Sequence, residues 1–200
     1  MGAGVKMKKI IMVSGLKRSG KDYISNIIKN ELIKEGYTVD IFAFAKPIKD
    51  ILTKTLNISL DELDTYKNEK TPIVIDDIEH TNMRNVLQDF GKVMKNTFGK
   101  DVWSKAMIEN INNSKADIII ISDFRFLIEY ESLKSLDCDI ITVNVLDFNL
   151  KLDDSHPSEK ELIDNNFKYD ACLDNTAKND DIVNHVKLLI RTFFKHILLK

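Results

Sequence analysis

Five short apolar runs recur along the chain, and they predict β-strands over 9–14, 38–45, 117–122, 139–145 and 169–174. Segments with apolar residues three and four positions apart separate these runs, as expected of helices that bury one face. Strands that are apolar throughout and that alternate with helices are typical of a parallel sheet covered on both faces. The pattern therefore predicts an α/β fold with five strands in its sheet.

A largely helical insertion is predicted between the second and third strands, over residues 59–112. It opens with the capping-box pair Ser59 and Glu62, and a longer amphipathic helix follows Thr81 and stops before Gly99. Neither a repeat nor a low-complexity linker divides the sequence, so we expect one domain over 1–200.

Composition and charge narrow the classes of function. The 200 residues carry a formal net charge of -2, so no overall basic character favours binding to nucleic acid or to an anionic membrane. The longest aliphatic run is too short to span a bilayer, and the first residues are not typical of a signal peptide. Cys138 and Cys172 lie in strand-like runs without metal-ligand spacing, and we expect both to pack in the core. These features predict a soluble, cytoplasmic protein.

The stretch GLKRSGK at 15–21 follows the first strand, precedes a helix and meets the spacing G-x-x-x-x-G-K in full. In such a loop, backbone N–H groups surround phosphate oxygens and the lysine reaches the terminal phosphates of a nucleotide. The sequence therefore predicts an ATP-binding site made by Gly15, Lys17, Arg18, Ser19, Gly20, Lys21, Asp22 and Tyr23.

Asp22 stands where a P-loop normally has the serine or threonine that ligates magnesium. A carboxylate also binds a hard cation, directly or through water, which favours a role for Asp22 toward Mg²⁺. Negative charge is equally favourable at a helix N-terminus, so a purely structural role is the alternative. The residues leave both interpretations open.

Five segments together resemble the deoxynucleoside monophosphate kinases of large phages and related viruses. In order, they are SGLKRSGKD, FAKPIKDIL, RNVLQDFGK with DVWSKAM, IIISDFRFLIEYE and DDSHPSEKEL. The resemblance implies a nucleoside monophosphate kinase fold with an acceptor-binding insertion and a lid near 147–165. It also implies transfer of the γ-phosphoryl group from ATP, with Mg²⁺, to a deoxynucleoside monophosphate. Tyr23 departs from the threonine that phage members carry.

The acceptor side is predicted from residues that match the family's order. Lys49 follows the second strand, at the sheet edge where ligands of α/β proteins collect. Arg84 and Gln88 are four residues apart on one helix and can face the same pocket. Arg84 is suited to bind a phosphate through two hydrogen bonds, and Gln88 to hydrogen-bond a base edge. Gly91 has no side chain and permits close approach of the acceptor. Trp103 is expected either to stack on the base or to pack in the core.

Three charged residues, Asp123, Arg125 and Glu129, follow the predicted strand 117–122. Asp123 is expected to ligate magnesium or to face the acceptor sugar, with a strand-end cap as the structural alternative. Arg125 is expected to stabilise charge on the transferred phosphoryl group or to position the acceptor phosphate, and Glu129 to orient that arginine, so both are also predicted on the acceptor side. We thus predict Lys21, Arg18, Arg125 and Asp123 as catalytic residues, and Asp22 and Asp123 as magnesium ligands.

Two alternative functions stay open. A related small-molecule kinase, such as the animal-type phosphomevalonate kinases, has a similar Lys-Ser-Gly-Lys-Asp loop. A non-catalytic nucleotide-binding protein is favoured by Tyr23 and by the lid, which offers His156, Lys151 and Lys160 but no arginine. In each case the partners are small nucleotides, and the apolar C-terminal helix suits a homodimer.

Overall fold

The computed structural model describes residues 8–68, 73–75, 78–80, 82–151 and 157–194, with backbone only for 68, 73–75, 78–80 and 159. The predicted lid residues Asp154, Ser155 and His156 lie outside these ranges. Two compact units are present: the first combines 1–43 with 107–200, and the second is 44–106. The second unit begins earlier than the predicted insertion, because it includes the helix after the second strand.

The strands are β1 (Lys8–Gly15), β2 (Val39–Phe42), β3 (Ile73–Ile75), β4 (Ile78–His80), β5 (Ile118–Ile121), β6 (Cys138–Leu146) and β7 (Ala171–Asp174). The helices are α1 (Lys21–Lys34), α2 (Lys46–Leu56), α3 (Leu60–Asn68), α4 (Met83–Phe98), α5 (Val102–Asn113), α6 (Leu127–Leu133), α7 (Pro157–Asp164) and α8 (Asp181–Phe194).

The first unit is built on a five-stranded sheet with the order β2-β5-β1-β6-β7. Every neighbouring pair in it is parallel, which confirms the predicted α/β architecture. β5 has a strand on each side, and its four isoleucines are fully buried. Helices α1 and α8 pack their buried faces into the same core as β1 and β6. Because all strands are parallel, their carboxyl ends, and the loops that follow them, share one edge of the sheet.

The second unit packs α2, α3 and α4 around Leu52, Leu63 and Met83. The predicted capping box is confirmed: the Glu62 carboxylate accepts the Ser59 backbone N–H at 2.7 Å, and the Ser59 hydroxyl accepts the Glu62 N–H at 3.2 Å. The prediction of a largely helical segment missed the antiparallel hairpin of β3 and β4. Three-residue strands are too short to show an alternating pattern.

Two further expectations were wrong in part. The second strand ends at Phe42 rather than at residue 45, because α2 begins at Lys46 with a proline in its first turn. Cys172 is exposed and Cys138 is half-buried, so neither belongs to the fully buried core. Cys172 lies on β7, one of the two edge strands of the sheet, where alternate side chains are exposed. Among the described residues, no helix has the length and apolarity to cross a membrane.

Candidate active site

The loop between β1 and α1 has little free space around its first glycine. Gly15 has φ of 145°, and a Cβ there would lie 2.4 Å from the Val145 carbonyl oxygen and 2.7 Å from Ser19 Oγ. Both separations are far below a normal contact, so only glycine fits where β1 turns into the loop. The Ser19 side chain is fully buried beneath this turn.

Gly20 is the second tight position, and its neighbour is a residue that the sequence analysis did not identify. Gly20 has φ of 93°, and a Cβ there would lie 2.4 Å from Nδ2 of Asn175. That amide nitrogen donates to the Ser19 carbonyl at 2.8 Å. Asn175 follows β7 and is 156 positions away from Ser19, so the sequence offered no local pattern that could reveal this contact.

Lys21 lies at the start of α1 and folds back over the loop. Its side-chain ammonium donates to the carbonyl oxygens of Gly15 at 2.7 Å and Leu16 at 2.8 Å. The residue is only 8% exposed. Burial places the lysine charge inside the loop, as a phosphate-binding lysine requires. Arg18 is exposed at the loop tip with φ of 69°, and Lys17 is half-buried.

Asp22 and Tyr23 form the exposed first turn of α1. The Gly20 N-cap has no side-chain hydrogen bond, so the Asp22 charge also suits the positive end of this helix. Tyr23 is 52% exposed. In the described part of the chain, no group of three or more His, Cys, Asp or Glu side chains is arranged to hold a metal. A Mg²⁺ ion bound with a nucleotide needs only one or two carboxylates, because phosphates and water complete its shell.

The Asp123–Arg125 turn is anchored beside the phosphate loop. β5 neighbours β1 in the sheet, and the Phe124 N–H donates to the Val13 carbonyl at 3.0 Å, two residues before the loop begins. Asp123 is half-buried at the same sheet edge as Lys21. The carboxylates of Asp22 and Asp123 are hard oxygen donors at this edge, so their chemistry fits Mg²⁺.

Glu129 organises the turn through its backbone. Its carboxylate accepts the N–H groups of Arg125 at 2.9 Å and Phe126 at 3.0 Å, and the side chain is 5% exposed. Through these two backbone contacts, the glutamate fixes the path of the chain at Arg125. The Arg125 guanidinium donates to the Ser158 carbonyl at 3.3 Å, on the first turn of α7.

A second contact ties α7 to the same turn. The Glu161 carboxylate accepts the Leu127 N–H at 2.9 Å. Of the predicted lid cations, Lys151 is exposed and Lys160 is half-buried on α7. Residues 152–156 of the lid, directly before α7, fall outside the described residues, so contacts of the lid with phosphate stay a prediction.

Tyr169 is another neighbour of the phosphate loop that the sequence analysis missed. Its hydroxyl hydrogen-bonds to Ser14 Oγ at 3.2 Å, next to the first loop glycine. Burial raises the pKa of Tyr169 above its ordinary value, and the hydrogen bond with Ser14 offsets this only in part. The tyrosine continues an aromatic row, with ring centroids 4.9 Å apart for Tyr169 and Phe167 and 5.2 Å apart for Phe167 and Phe124. Phe124, at the centre of the Asp123–Arg125 turn, is packed against this row.

In the second unit, Lys49 is part of an ion-pair network. Its ammonium lies 2.7 Å from an Asp64 carboxylate oxygen, and Lys67 lies 3.6 Å from the same atom. Burial alone would raise the pKa of Asp64, but the Lys49 hydrogen bond and the two lysine charges outweigh it and lower that pKa. Lys49 therefore carries a positive charge that is already partly balanced.

The other predicted acceptor residues lie on α4 and α5. Arg84 and Gln88 are both half-buried and lie one turn apart on α4. Gly91 is buried, and a Cβ there would lie 3.3 Å from Ile48 Cδ1. Trp103 is 7% exposed, and its indole N–H donates to the Gly91 carbonyl at 3.3 Å. The structure thus uses Gly91 and Trp103 in packing, and their contact with an acceptor stays a prediction.

Similarity in fold rests on the first of three solved structures, whose TM-score exceeds 0.5. A candidate kinase from Chloroflexus aurantiacus is 14% identical, with a TM-score of 0.52 and coverage of 96% of this chain and 99% of its own. A mutant APS kinase from Mycobacterium tuberculosis is 12% identical, with a TM-score of 0.47 and coverage of 92% and 95%. A shikimate kinase from Bacteroides thetaiotaomicron is 9% identical, with a TM-score of 0.44 and coverage of 94% and 98%.

A family model supplies the more specific result. The model described as phosphomevalonate kinase matches residues 13–138, which run from the end of β1 through the Asp123–Arg125 turn to the start of β6. No curated protein sequence matches the chain. The match includes the phosphate loop and the whole second unit, and it covers more than half of the sequence. The chain therefore belongs to the phosphomevalonate kinase family and is a P-loop small-molecule kinase.

Proposed function

We propose that the protein transfers the γ-phosphoryl group of ATP to the phosphate of a deoxynucleoside 5′-monophosphate. The observation that carries this proposal is the bond from the Phe124 N–H to Val13, which anchors the Asp123–Arg125 turn beside the phosphate loop. A buried lysine, a carboxylate and a guanidinium then belong to one sheet edge. Phosphoryl transfer requires this combination, because catalysis depends on positioning and on charge stabilisation.

On the donor side, the loop N–H groups and Lys21 hold the phosphates of ATP, and Arg18 adds charge at the loop tip. Asp22 and Asp123 are assigned to the magnesium that accompanies the nucleotide. When bound, that ion neutralises phosphate charge. Arg125 stabilises the charge that develops on the transferred group, and Glu129 holds its backbone in place.

The transfer is a direct displacement. A non-bridging oxygen of the acceptor phosphate forms the new bond to the γ-phosphorus, and the bond from that phosphorus to the β–γ bridging oxygen breaks. ADP departs with this oxygen, and the acceptor becomes a diphosphate. The reaction therefore needs no covalent enzyme intermediate.

Acceptor recognition is assigned to the second unit. Arg84 provides a planar cation for the acceptor phosphate, and Gln88, one turn along the same helix, provides an amide for a base edge. Lys49 adds charge that Asp64 balances. The indole N–H of Trp103 donates to the Gly91 carbonyl and so holds this helix in place. Trp103 is also a candidate contact of the base.

A second candidate is phosphorylation of phosphomevalonate, favoured by the family-model match over 13–138. Both acceptors present a phosphate to the γ-phosphoryl group, so the donor side serves either reaction. They differ in the rest of the molecule: a nucleotide brings a base with hydrogen-bonding edges, whereas phosphomevalonate brings a carboxylate. Gln88 supports the nucleotide, because an uncharged amide reads a base edge through one donor and one acceptor.

The test is ADP release from Mg-ATP, measured against deoxynucleoside monophosphates, ribonucleoside monophosphates and phosphomevalonate. We expect turnover with at least one deoxynucleotide, and a rise in its KM in Gln88→Leu with ATP binding unchanged. Activity confined to phosphomevalonate would establish the second candidate instead. Binding of ATP without turnover on any acceptor would indicate a non-catalytic nucleotide-binding protein.

A further inference from the structure

We propose that Asn175 is a positioning residue for the phosphate loop, which it holds in the conformation that binds the phosphates of ATP. The inference rests on the proposed use of ATP as donor, but it does not depend on which acceptor is phosphorylated. Asn175 comes directly after β7, at the far end of the sequence from the loop motif. Nothing in the motif G-x-x-x-x-G-K specifies this residue.

The backbone of Asn175 is fixed by a hydrogen bond to the neighbouring strand. Its backbone N–H donates to the Leu146 carbonyl at 2.8 Å, which ties the end of β7 to the end of β6. The residue is 4% exposed. The side-chain amide therefore projects from a fixed backbone, and its Nδ2 donates to the Ser19 carbonyl at 2.8 Å.

This hydrogen bond sets the orientation of one peptide group in the loop. In a trans peptide the C=O and the N–H point to opposite sides, and no peptide bond among the described residues is cis. Holding the Ser19 oxygen toward Asn175 therefore turns the Gly20 N–H away from Asn175. Backbone N–H groups of this loop are the donors that surround phosphate oxygens, so fixing the peptide preorganises one of them.

The glycine and the asparagine form a matched pair. A Cβ at position 20 would lie 2.4 Å from Nδ2 of Asn175, so the amide occupies the space that a side chain would need. The second glycine of the motif is commonly explained by backbone conformation, and here φ of 93° supports that explanation. The close approach of Asn175 adds a second, independent requirement for glycine.

Stability alone does not account for an amide at this position. The Oδ1 atom of Asn175 is buried and has no hydrogen-bond partner among the described residues, and the same is true of Ser19 Oγ. A buried acceptor without a partner is unfavourable, so a side chain selected only for packing would be apolar. The amide is explained by the donor that it directs at Ser19.

The experiment measures binding of Mg-ATP and of inorganic tripolyphosphate by calorimetry to the wild type, Asn175→Ala and Asn175→Leu. Alanine removes the whole amide, whereas leucine keeps the branched shape of the side chain and removes its hydrogen-bonding groups without adding a charge. Asn113→Ala is the matched control, since Asn113 also makes one side-chain hydrogen bond, at 3.0 Å to Glu109, on an exposed surface.

We expect each Asn175 variant to raise the Kd of both ligands by about tenfold or more, and the control to leave both unchanged. Tripolyphosphate has no base or sugar, so a shared loss locates the effect at the phosphates. A variant that is folded at the assay temperature and binds both ligands like the wild type would overturn the inference. If the wild type bound neither ligand, both the proposed function and this inference would be overturned. If it bound ATP but transferred no phosphate, the proposed function would fail, and the Kd comparison would still decide this inference.

Discussion

Replacement of Glu129 by glutamine should destabilise the first unit while changing no side-chain volume in its core. The carboxylate is 5% exposed, and it accepts two backbone N–H groups, from Arg125 at 2.9 Å and from Phe126 at 3.0 Å. Glutamine keeps an oxygen within reach of these donors but removes the charge. The variant therefore tests how much the carboxylate charge contributes to the stability of this turn.

The expected loss follows from the two bonds. A hydrogen bond to a charged group contributes about 1.5–3 kcal/mol, and a neutral one about 0.5–1.5 kcal/mol. Two bonds that each lose about 1 kcal/mol give a decrease of about 2 kcal/mol in the free energy of unfolding for Glu129→Gln. Glu129→Ala leaves both N–H groups without their acceptor and should cost about 3–4 kcal/mol.

The assay is urea unfolding at pH 7, followed by far-ultraviolet circular dichroism. Glu131→Gln is the matched control on the same helix, because Glu131 is half-exposed and pairs with Lys134 at 3.5 Å. An exposed pair of this kind should contribute less than about 0.5 kcal/mol. If Glu129→Gln and Glu131→Gln lowered stability equally, the assignment of Glu129 as the residue that fixes the turn would be refuted.

Three further outcomes are expected. Gly20→Ala should cost about 2 kcal/mol more stability than Gly36→Ala, because both glycines have positive φ but only Gly20 has a close neighbour in the Cβ position; equal losses in thermal unfolding would contradict this. The lowered pKa of Asp64 stabilises the fold above the unfolded value near 3.8, and this contribution is lost as the pH falls through the lower folded pKa. Asp64→Asn lacks the contribution at every pH, so its free energy of unfolding should fall less steeply below pH 3.8 than that of the wild type. Gly91→Ala should raise the acceptor KM, because a methyl group would hinder the close approach predicted at this position; an unchanged KM, with stability equal or up to about 1 kcal/mol higher, would show that Gly91 serves packing alone.

The parallel sheet could be predicted because its strands bury both faces. Four consecutive isoleucines at Ile118–Ile121 have no polar alternation, as expected of a central strand with helices on both sides. The phosphate loop was equally predictable, since its residues are adjacent in sequence. Cys172 was misjudged because β7 is an edge strand, and position in a sheet depends on pairings that a single run of residues does not encode.

The surroundings of the phosphate loop were not predictable in the same way. Asn175 and Tyr169 reach Ser19 and Ser14 because β7 pairs with the carboxyl-terminal end of β6, which itself pairs with β1 directly before the loop. An asparagine directly after the last strand was the one local hint, and taken alone it suits any turn. The β3–β4 hairpin was missed for a different reason, since three-residue strands have no measurable period.

The most direct test of the central claim follows the phosphorus atoms themselves. Mg-ATP and a deoxynucleoside monophosphate are incubated with the protein, and ³¹P NMR monitors whether the monophosphate resonance is replaced by the coupled pair of a diphosphate as ADP appears. Lys21→Ala is compared with Lys29→Ala, which changes a lysine two turns further along the same helix. The account predicts transfer in the wild type and in Lys29→Ala and none detectable in Lys21→Ala. Transfer at the wild-type rate in Lys21→Ala would contradict it.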